Sequence, residues 1–155
     1  MKVERVFNQN IVHTTSSATL EQAARLMRDR HVGALLVTED IAGKKPVGMV
    51  TDRDLVIRAL AEGAGAQDRT IAEVMSAALA TIPRSSNLFE ALERMRANGM
   101  RRLAVTEPDG SVSGIVSADD LVGALAVQLS SLGGLLRSEL LHEVAREGDS
   151  GQSAG

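Results

Sequence analysis

The strongest constraint in this sequence is that it matches itself. Displaced by 68 positions, Leu20 falls on Leu88, Ala23 on Ala91, Met27 on Met95 and Arg28 on Arg96. The same displacement sets Leu35 on Leu103, Val37 on Val105, Thr38 on Thr106 and Glu39 on Glu107. After a longer loop around Ile41 to Lys45 it falls to 66, bringing Gly48 onto Gly114, Asp54 onto Asp120 and Val56 onto Val122. A period above 60 residues is too long for a solenoid repeat and marks a duplicated domain.

Each copy carries the same local signals. In the first, Ile11-Val12 form a short apolar piece ending at Thr14. Thr19 and Gln22 then make a capping box for a helix whose buried stripe is Leu20, Ala23, Ala24 and Met27. Arg28, Arg30 and His31 fall in its last turn, where positive charge suits the helix dipole. Strands are expected over 34–37 and 47–51, and a second helix from Thr51 toward Glu62-Gly63. In the second copy Val74-Met75 corresponds to Val6-Phe7. Asn87 and Glu90 supply the cap and Leu88, Ala91, Leu92 and Met95 the stripe. Asn98-Gly99 is a left-handed stop, and Pro108-Asp109-Gly110 a turn between strands 103–106 and 112–117. Each copy therefore reads β-α-β-β-α, an α/β (α+β) unit in which two copies can cover each other's exposed sheet face.

Chain order puts repeat one at residues 1–68, repeat two at 69–127 and a C-terminal helical extension at 128–146. The extension has no counterpart in repeat one. Its leucines recur at helical spacing, and Gly133-Gly134 is expected to bend or break it. Two readings stand: a helix packed back on its own module, or one that pairs with another subunit. Residues 147–155 are small and polar, and disorder is expected there.

Composition narrows the function. The net charge is -3, whereas nucleic-acid-binding domains usually carry a basic surplus, so nucleic acid is an unfavoured partner. No cysteine is present, which removes disulfides, thiolate metal sites and thiol catalysis and points to the cytoplasm. No stretch approaches the ~20 apolar residues of a membrane span, and no signal peptide is evident. His13, His31 and His142 are too scattered for a metal pattern, and no nucleophile-base arrangement is visible. A catalytic role is not expected.

The duplicated stretch holds the candidate chemistry. Gly48-Met49-Val50-Thr51-Asp52-Arg53-Asp54 returns as Gly114-Ile115-Val116-Ser117-Ala118-Asp119-Asp120. Thr51 with Asp54, and Ser117 with Asp120, have the form of helix caps, and capping alone accounts for a single such pair. At a strand-to-helix junction the aspartate can also accept from both hydroxyls of a ribose diol, each charge-assisted bond contributing about 1.5–3 kcal/mol. Thr51 or Ser117 could assist at sugar or phosphate, and Val50 and Val116 could lie against a base. The glycines would let the backbone approach a ligand closely. A phosphate there needs positive charge, from Arg53, Arg101, Arg102, Lys44 or Lys45. Singly, each of these is more often a solvated surface charge. Arg101 and Arg102 match Gly33 and Ala34 in repeat one, so the two sites are not equivalent.

The doubled β-α-β-β-α unit with Gly-h-h-Thr/Ser-x-x-Asp resembles the CBS domain, and the tandem pair a Bateman module, over roughly residues 3–127. The resemblance implies two CBS units packed as a pseudo-twofold pair. It implies ligands of adenosine type: AMP, ADP, ATP, S-adenosylmethionine or NAD(H). It implies ribose contacts from Asp54 and Asp120 with Thr51 and Ser117, and adenine lying along Val12-His13-Thr14 and Thr81-Ile82-Pro83. It also implies a homodimer that regulates another protein. One departure is Ala104, where the family often has proline. The leading reading is a regulatory module sensing an adenosine-type ligand. The alternative is a ligand-free dimeric scaffold that uses its C-terminal helix.

Overall fold

The computed structural model describes residues 1–39, 46–58, 60–63, 65 and 68–150, with the side chains of 140–150 left aside. Repeat one contains β1 (His13–Thr15), α1 (Leu20–Arg30), β2 (Ala34–Thr38), β3 (Pro46–Thr51) and α2 (Asp52–Arg58). Repeat two contains β4 (Thr81–Pro83), α3 (Leu88–Ala97), β5 (Arg102–Thr106), β6 (Val112–Ser117) and α4 (Ala118–Ser150). Each repeat forms its own three-stranded sheet, β1-β2-β3 and β4-β5-β6, with the first pair parallel and the second antiparallel. The fold is mixed α+β, a pair of β-α-β-β-α units with a C-terminal helix.

Local chemistry explains the element boundaries. Thr19 and Asn87 cap α1 and α3 through complete capping boxes with Gln22 and Glu90. Gly99 stops α3 at φ 61°, and at the matching place His31 stops α1 at φ 53°. Gly110, at φ 83°, closes the β5–β6 turn. The buried stripes are narrower than the sequence pattern suggests. Leu20, Ala23 and Met27 are buried but Ala24 is exposed; Leu88, Ala91 and Met95 are buried but Leu92 is not.

The first core joins α1 to its sheet: Leu20, Ala23 and Met27 pack with Leu35, Val37 and Val50, and with Ile71 and Val74. The last two belong to the other repeat in chain order. Every residue of β2 is buried, so both faces of that strand are covered.

The openings of the two repeats are exchanged. Residues 1–8 hydrogen-bond to repeat two: Val3 N–H donates to Ser86, Glu4 N–H to Arg84, and Asn8 and Ile115 exchange a pair of backbone bonds. Residues 69–76 do the same for repeat one: Ile71 N–H donates to Ala18, Ala72 N–H to Ser16, and Ser76 and Met49 exchange a pair. The motif glycines lie under these crossings. A Cβ on Gly48 would sit 2.5 Å from the Ser76 carbonyl oxygen; one on Gly114 would clash with the edge of the Phe7 ring and sit 2.5 Å from the Asn8 carbonyl oxygen. Their smallness serves the exchanged segments, which corrects the expectation that it serves a ligand.

The crossing segment 69–76 is tied down by charge. Glu73 completes a capping box with Thr70 and pairs with Arg69, which also pairs with Glu62. The Thr70 backbone N–H, and then the Arg69 guanidinium, hold the Glu73 carboxyl below its ordinary value. A lowered carboxyl contributes stability above its unfolded pKa that is lost as pH falls through the folded one. Glu73→Gln is therefore expected to lower the urea midpoint at pH 7 and to match the wild type at pH 3. An equal deficit at both pH values would show that the carboxylate charge is not responsible.

Residues Met1–Ala118 form one compact unit and the chain from Asp119 a second. The second unit thus begins at the second residue of α4, nine residues before the extension read from chain order. α4 is one helix of 33 residues. Gly133-Gly134 lies within it without a break, and the helix continues past Glu147 to Ser150, both corrections to the sequence reading. The flanking leucines and alanines favour helix strongly enough to carry two adjacent glycines at about 1 kcal/mol each. The segment 118–139, 22 residues, is also long and apolar enough by length and composition to cross a membrane. The expectation that no stretch approaches a membrane span is corrected accordingly.

Candidate functional site

β3 delivers Thr51 to the start of α2, and the junction is pinned by Asp52 N–H donating to the Gly33 carbonyl at 3.2 Å. Thr51 and Asp54 then cap each other. Asp54 N–H donates to Thr51 Oγ1 at 3.2 Å, while Thr51 N–H and Oγ1–H donate to Asp54 Oδ2 at 2.9 and 2.8 Å. All three bonds leave Oδ1 out; it lies 4.0 Å from Arg58 Nε. The Asp54 side chain is 20% exposed. An ionised carboxylate has about four acceptor positions, and the cap occupies two of them on one oxygen.

The second junction repeats the backbone arrangement, with Ala118 N–H donating to the Arg101 carbonyl at 2.8 Å. Ser117 ends β6 and Asp120 lies in the first turn of α4. Arg102 is the strand partner of Ser117. Its side chain nevertheless reaches the first junction. Arg102 Nη2 and Asp52 Oδ2 each lie 3.0 Å from the point where a Cβ on Gly33 would sit. Glycine at 33 leaves room for this cation beside the α2 junction, and position 101, which matches it in repeat two, is an arginine. The two junctions therefore differ in the charge placed beside them.

Other candidates fall elsewhere. Val50 and Val116 are fully buried in the core, and Ile82 is 1% exposed. None of the three side chains presents itself to a ligand, which corrects the assignment of Val50 and Val116 as base contacts. Side chains alternate along a strand, so the residues sharing a face with Thr51 and Ser117 are two positions back, Met49, itself buried, and Ile115, half-buried. That parity was the signal available in the sequence. Val12 and Thr14 are half-buried and His13 exposed; the Val12 carbonyl accepts from Leu36 N–H at 3.0 Å. Thr81 is half-buried, its carbonyl accepting from Arg94 at 2.6 Å, and Pro83 is exposed. Arg53 and Arg101 are exposed. Lys44 and Lys45 lie outside the described residues. Arg58 was missed; its spacing of four from Asp54 on one helix face was the clue.

The CBS domain model matches residues 3–60 and again 71–127. The chain belongs to the CBS domain family. It is a tandem pair of such domains, a Bateman module. A CBS domain-containing protein of Bacillus subtilis (YhcV) is 33% identical over 119 residues, covering 77% of this chain and 81% of its own. A solved CBS-domain containing protein from Agrobacterium tumefaciens superposes with a TM-score of 0.73 at 25% identity, over 80% of this chain and 98% of that one. The CBS domain pair of protein MJ0100 shares the fold with a TM-score of 0.72 at 21% identity, over 83% of this chain and 98% of that one. That pair was solved in complex with 5-methylthioadenosine and S-adenosyl-L-methionine. The chain spans 61% of the length of an uncharacterised Methanopyrus kandleri protein, 25% identical over 122 residues.

Proposed function

We propose that this CBS pair is a regulatory module that binds an adenosine-type ligand at its strand-to-helix junctions and passes the change to a partner protein. The observation that carries the reading is the Asp54 carboxylate, held by Thr51 through one oxygen while the other stands outside the cap. A ribose diol suits that oxygen, and Thr51 would then position the acceptor and not compete for it. Arg102, brought from the other repeat, and Arg58 supply positive charge against Asp52 and Asp54 for a phosphorylated ligand. The adenosine-type ligands bound by the MJ0100 pair, which shares the fold, fit the same chemistry. A cytoplasmic setting and a non-catalytic role belong to this reading. A ligand shifts the module only by binding one of its conformations more tightly than another.

A ligand-free scaffold is the second reading, favoured by the same cap: Asp54 already has a complete structural job. Melting the protein with AMP, ADP, ATP, S-adenosylmethionine or NADH separates the two. A ligand at about 100 times its Kd adds about 2.7 kcal/mol, raising the melting temperature by roughly 5–10 °C. Asp54→Ala is expected to cost about 1 kcal/mol as a lost cap and to abolish that rise if the first site binds. Asp120→Ala performs the same test on the second. No rise with any of the five, in a protein that melts cooperatively, would leave the scaffold reading in place.

A further inference from the structure

One residue joins the candidate ligand carboxylate to the segment that repeat two lends to repeat one. Arg58 Nε lies 4.0 Å from Asp54 Oδ1, the oxygen outside the cap. Nη1 of the same guanidinium donates to the Val74 carbonyl at 3.4 Å, inside the crossing segment 69–76. The Arg58 backbone carbonyl accepts from Arg69 Nη1 at 3.0 Å, and Arg69 pairs with Glu62 and Glu73. The crossing segment is thus tied to Arg58 through both its side chain and its backbone. Neither side-chain contact is tight, since N–H···O bonds close to about 2.9–3.0 Å. The Arg58 side chain is 54% exposed, so no packing fixes it between its two acceptors. At the displacement that sets Asp54 on Asp120, Arg58 falls on Ala124. Residues 1–8 dock on repeat two by backbone bonds all the same, so holding an opening segment in place does not require this arginine.

We propose that Arg58 is a positioning residue that relays the state of the first junction to the crossing segment. The proposal rests on Asp54 as the ligand carboxylate and adds what its occupancy controls. Coupling of this kind needs contiguous contacts with two arrangements, and Arg58 has them: toward Asp54 or toward Val74. The Asp54 charge holds the guanidinium back from the Val74 carbonyl. A ribose diol donating to Oδ1 takes up part of that charge, so Arg58 closes on Val74 and fastens the segment. A phosphorylated ligand does the opposite. Its phosphate offers the planar guanidinium a bidentate acceptor, draws Arg58 off Val74 and loosens the segment. Residues 77–80 lead from there into β4, where the Ala80 carbonyl accepts from Ala104 N–H at 2.9 Å. The first junction thereby acts on the opening strand of repeat two, with opposite sign for phosphorylated and unphosphorylated adenosine ligands.

Amide hydrogen exchange of the full chain tests the relay at Met75 and Ser76, whose N–H groups donate to Ile71 and Met49. Leu36, bonded to Val12 in the same sheet, is the internal reference. The first arm uses no ligand. Asp54→Asn keeps a good capping residue and removes the charge, so Met75 and Ser76 should exchange about two- to fivefold more slowly relative to Leu36. In an Arg58→Gln background the same change should leave that ratio unaltered. An equal effect in both backgrounds, or none in either, would overturn the relay. The second arm adds adenosine or AMP, each at a concentration that raises the melting temperature. Adenosine should slow the two amides and AMP should speed them, and both changes should vanish with Arg58→Gln. Shifts of the same sign from two ligands that both bind would also overturn the relay. If neither ligand raises the melting temperature, the ligand reading of Asp54 fails, and the first arm still decides whether Arg58 couples Asp54 to the segment.

Discussion

Gly114→Ala is expected to lower stability by at least about 3 kcal/mol, the upper range for overpacking a filled core. Its added methyl group would clash with Phe7 Cδ2 and Cε2 at the ring edge and come within 2.5 Å of the Asn8 carbonyl oxygen. The ring cannot simply turn aside. Phe7 is 9% exposed, and Asn8 is held to Ile115 by two backbone hydrogen bonds of 2.9 Å. Against a total stability of about 5–15 kcal/mol, that loss should reduce the melting temperature by roughly 10 °C. Phe7→Ala combined with Gly114→Ala should cost less than the sum of the two single changes, because the first opens the space the second needs. Gly123→Ala is the control. No atom lies within 4 Å of its Cβ position, and in mid-helix the change should stabilise by about 0.5–1 kcal/mol. An unchanged melting temperature for Gly114→Ala, with altered ligand binding, would return the glycine to the ligand-contact role first expected of it.

Removing residues 1–8 is expected to have the larger effect, and to have it in the wrong half of the chain. The truncation takes away Val3, which is fully buried, and Phe7, each contributing about 1.5–3 kcal/mol by burial. It also removes the bonds from Val3 to Ser86, Glu4 to Arg84, Leu88 to Met1 and the Asn8–Ile115 pair. The sum approaches the entire stability of a typical domain. Hydrogen exchange should locate the damage. The Ile115 and Ala104 amides should lose protection, while Leu36 and Met49, bonded to Val12 and Ser76, should keep it longer. If repeat one were closed on residues 1–68 alone, the first sheet would lose protection instead, and the exchange of openings would be refuted. For the same reason neither 1–68 nor 69–150 is expected to unfold cooperatively by itself.

These two results concern the part of the molecule that chain order concealed. The duplication was legible because the repeats keep their buried stripes and caps at a constant displacement. Leu20, Ala23 and Met27, Leu88, Ala91 and Met95, and the Thr19 and Asn87 caps all lie within one element, where local spacing decides burial and hydrogen bonding. The Thr51–Asp54 cap was visible for the same reason. Failures came wherever a residue's role depends on what packs against it from a distance. Val50 and Val116 are apolar and adjoin the motif hydroxyls, so sequence proximity made them base contacts, while Ile82 was assigned through the family resemblance. All three side chains lie in the core, and so does Met49, whereas Ile115 is half-buried.

The sequence by itself determined the elements, the two-fold repetition of the fold and the polar pair at each strand-to-helix junction, because these follow from spacing, capping and burial over a few residues. Only the tertiary structure decided that each repeat borrows its opening segment from the other, that Gly48 and Gly114 are small to admit those segments, and that Arg102 crosses to the first junction. Those outcomes depend on contacts between residues some 30 to 110 positions apart, and no local propensity encodes which distant backbone will fill a given space.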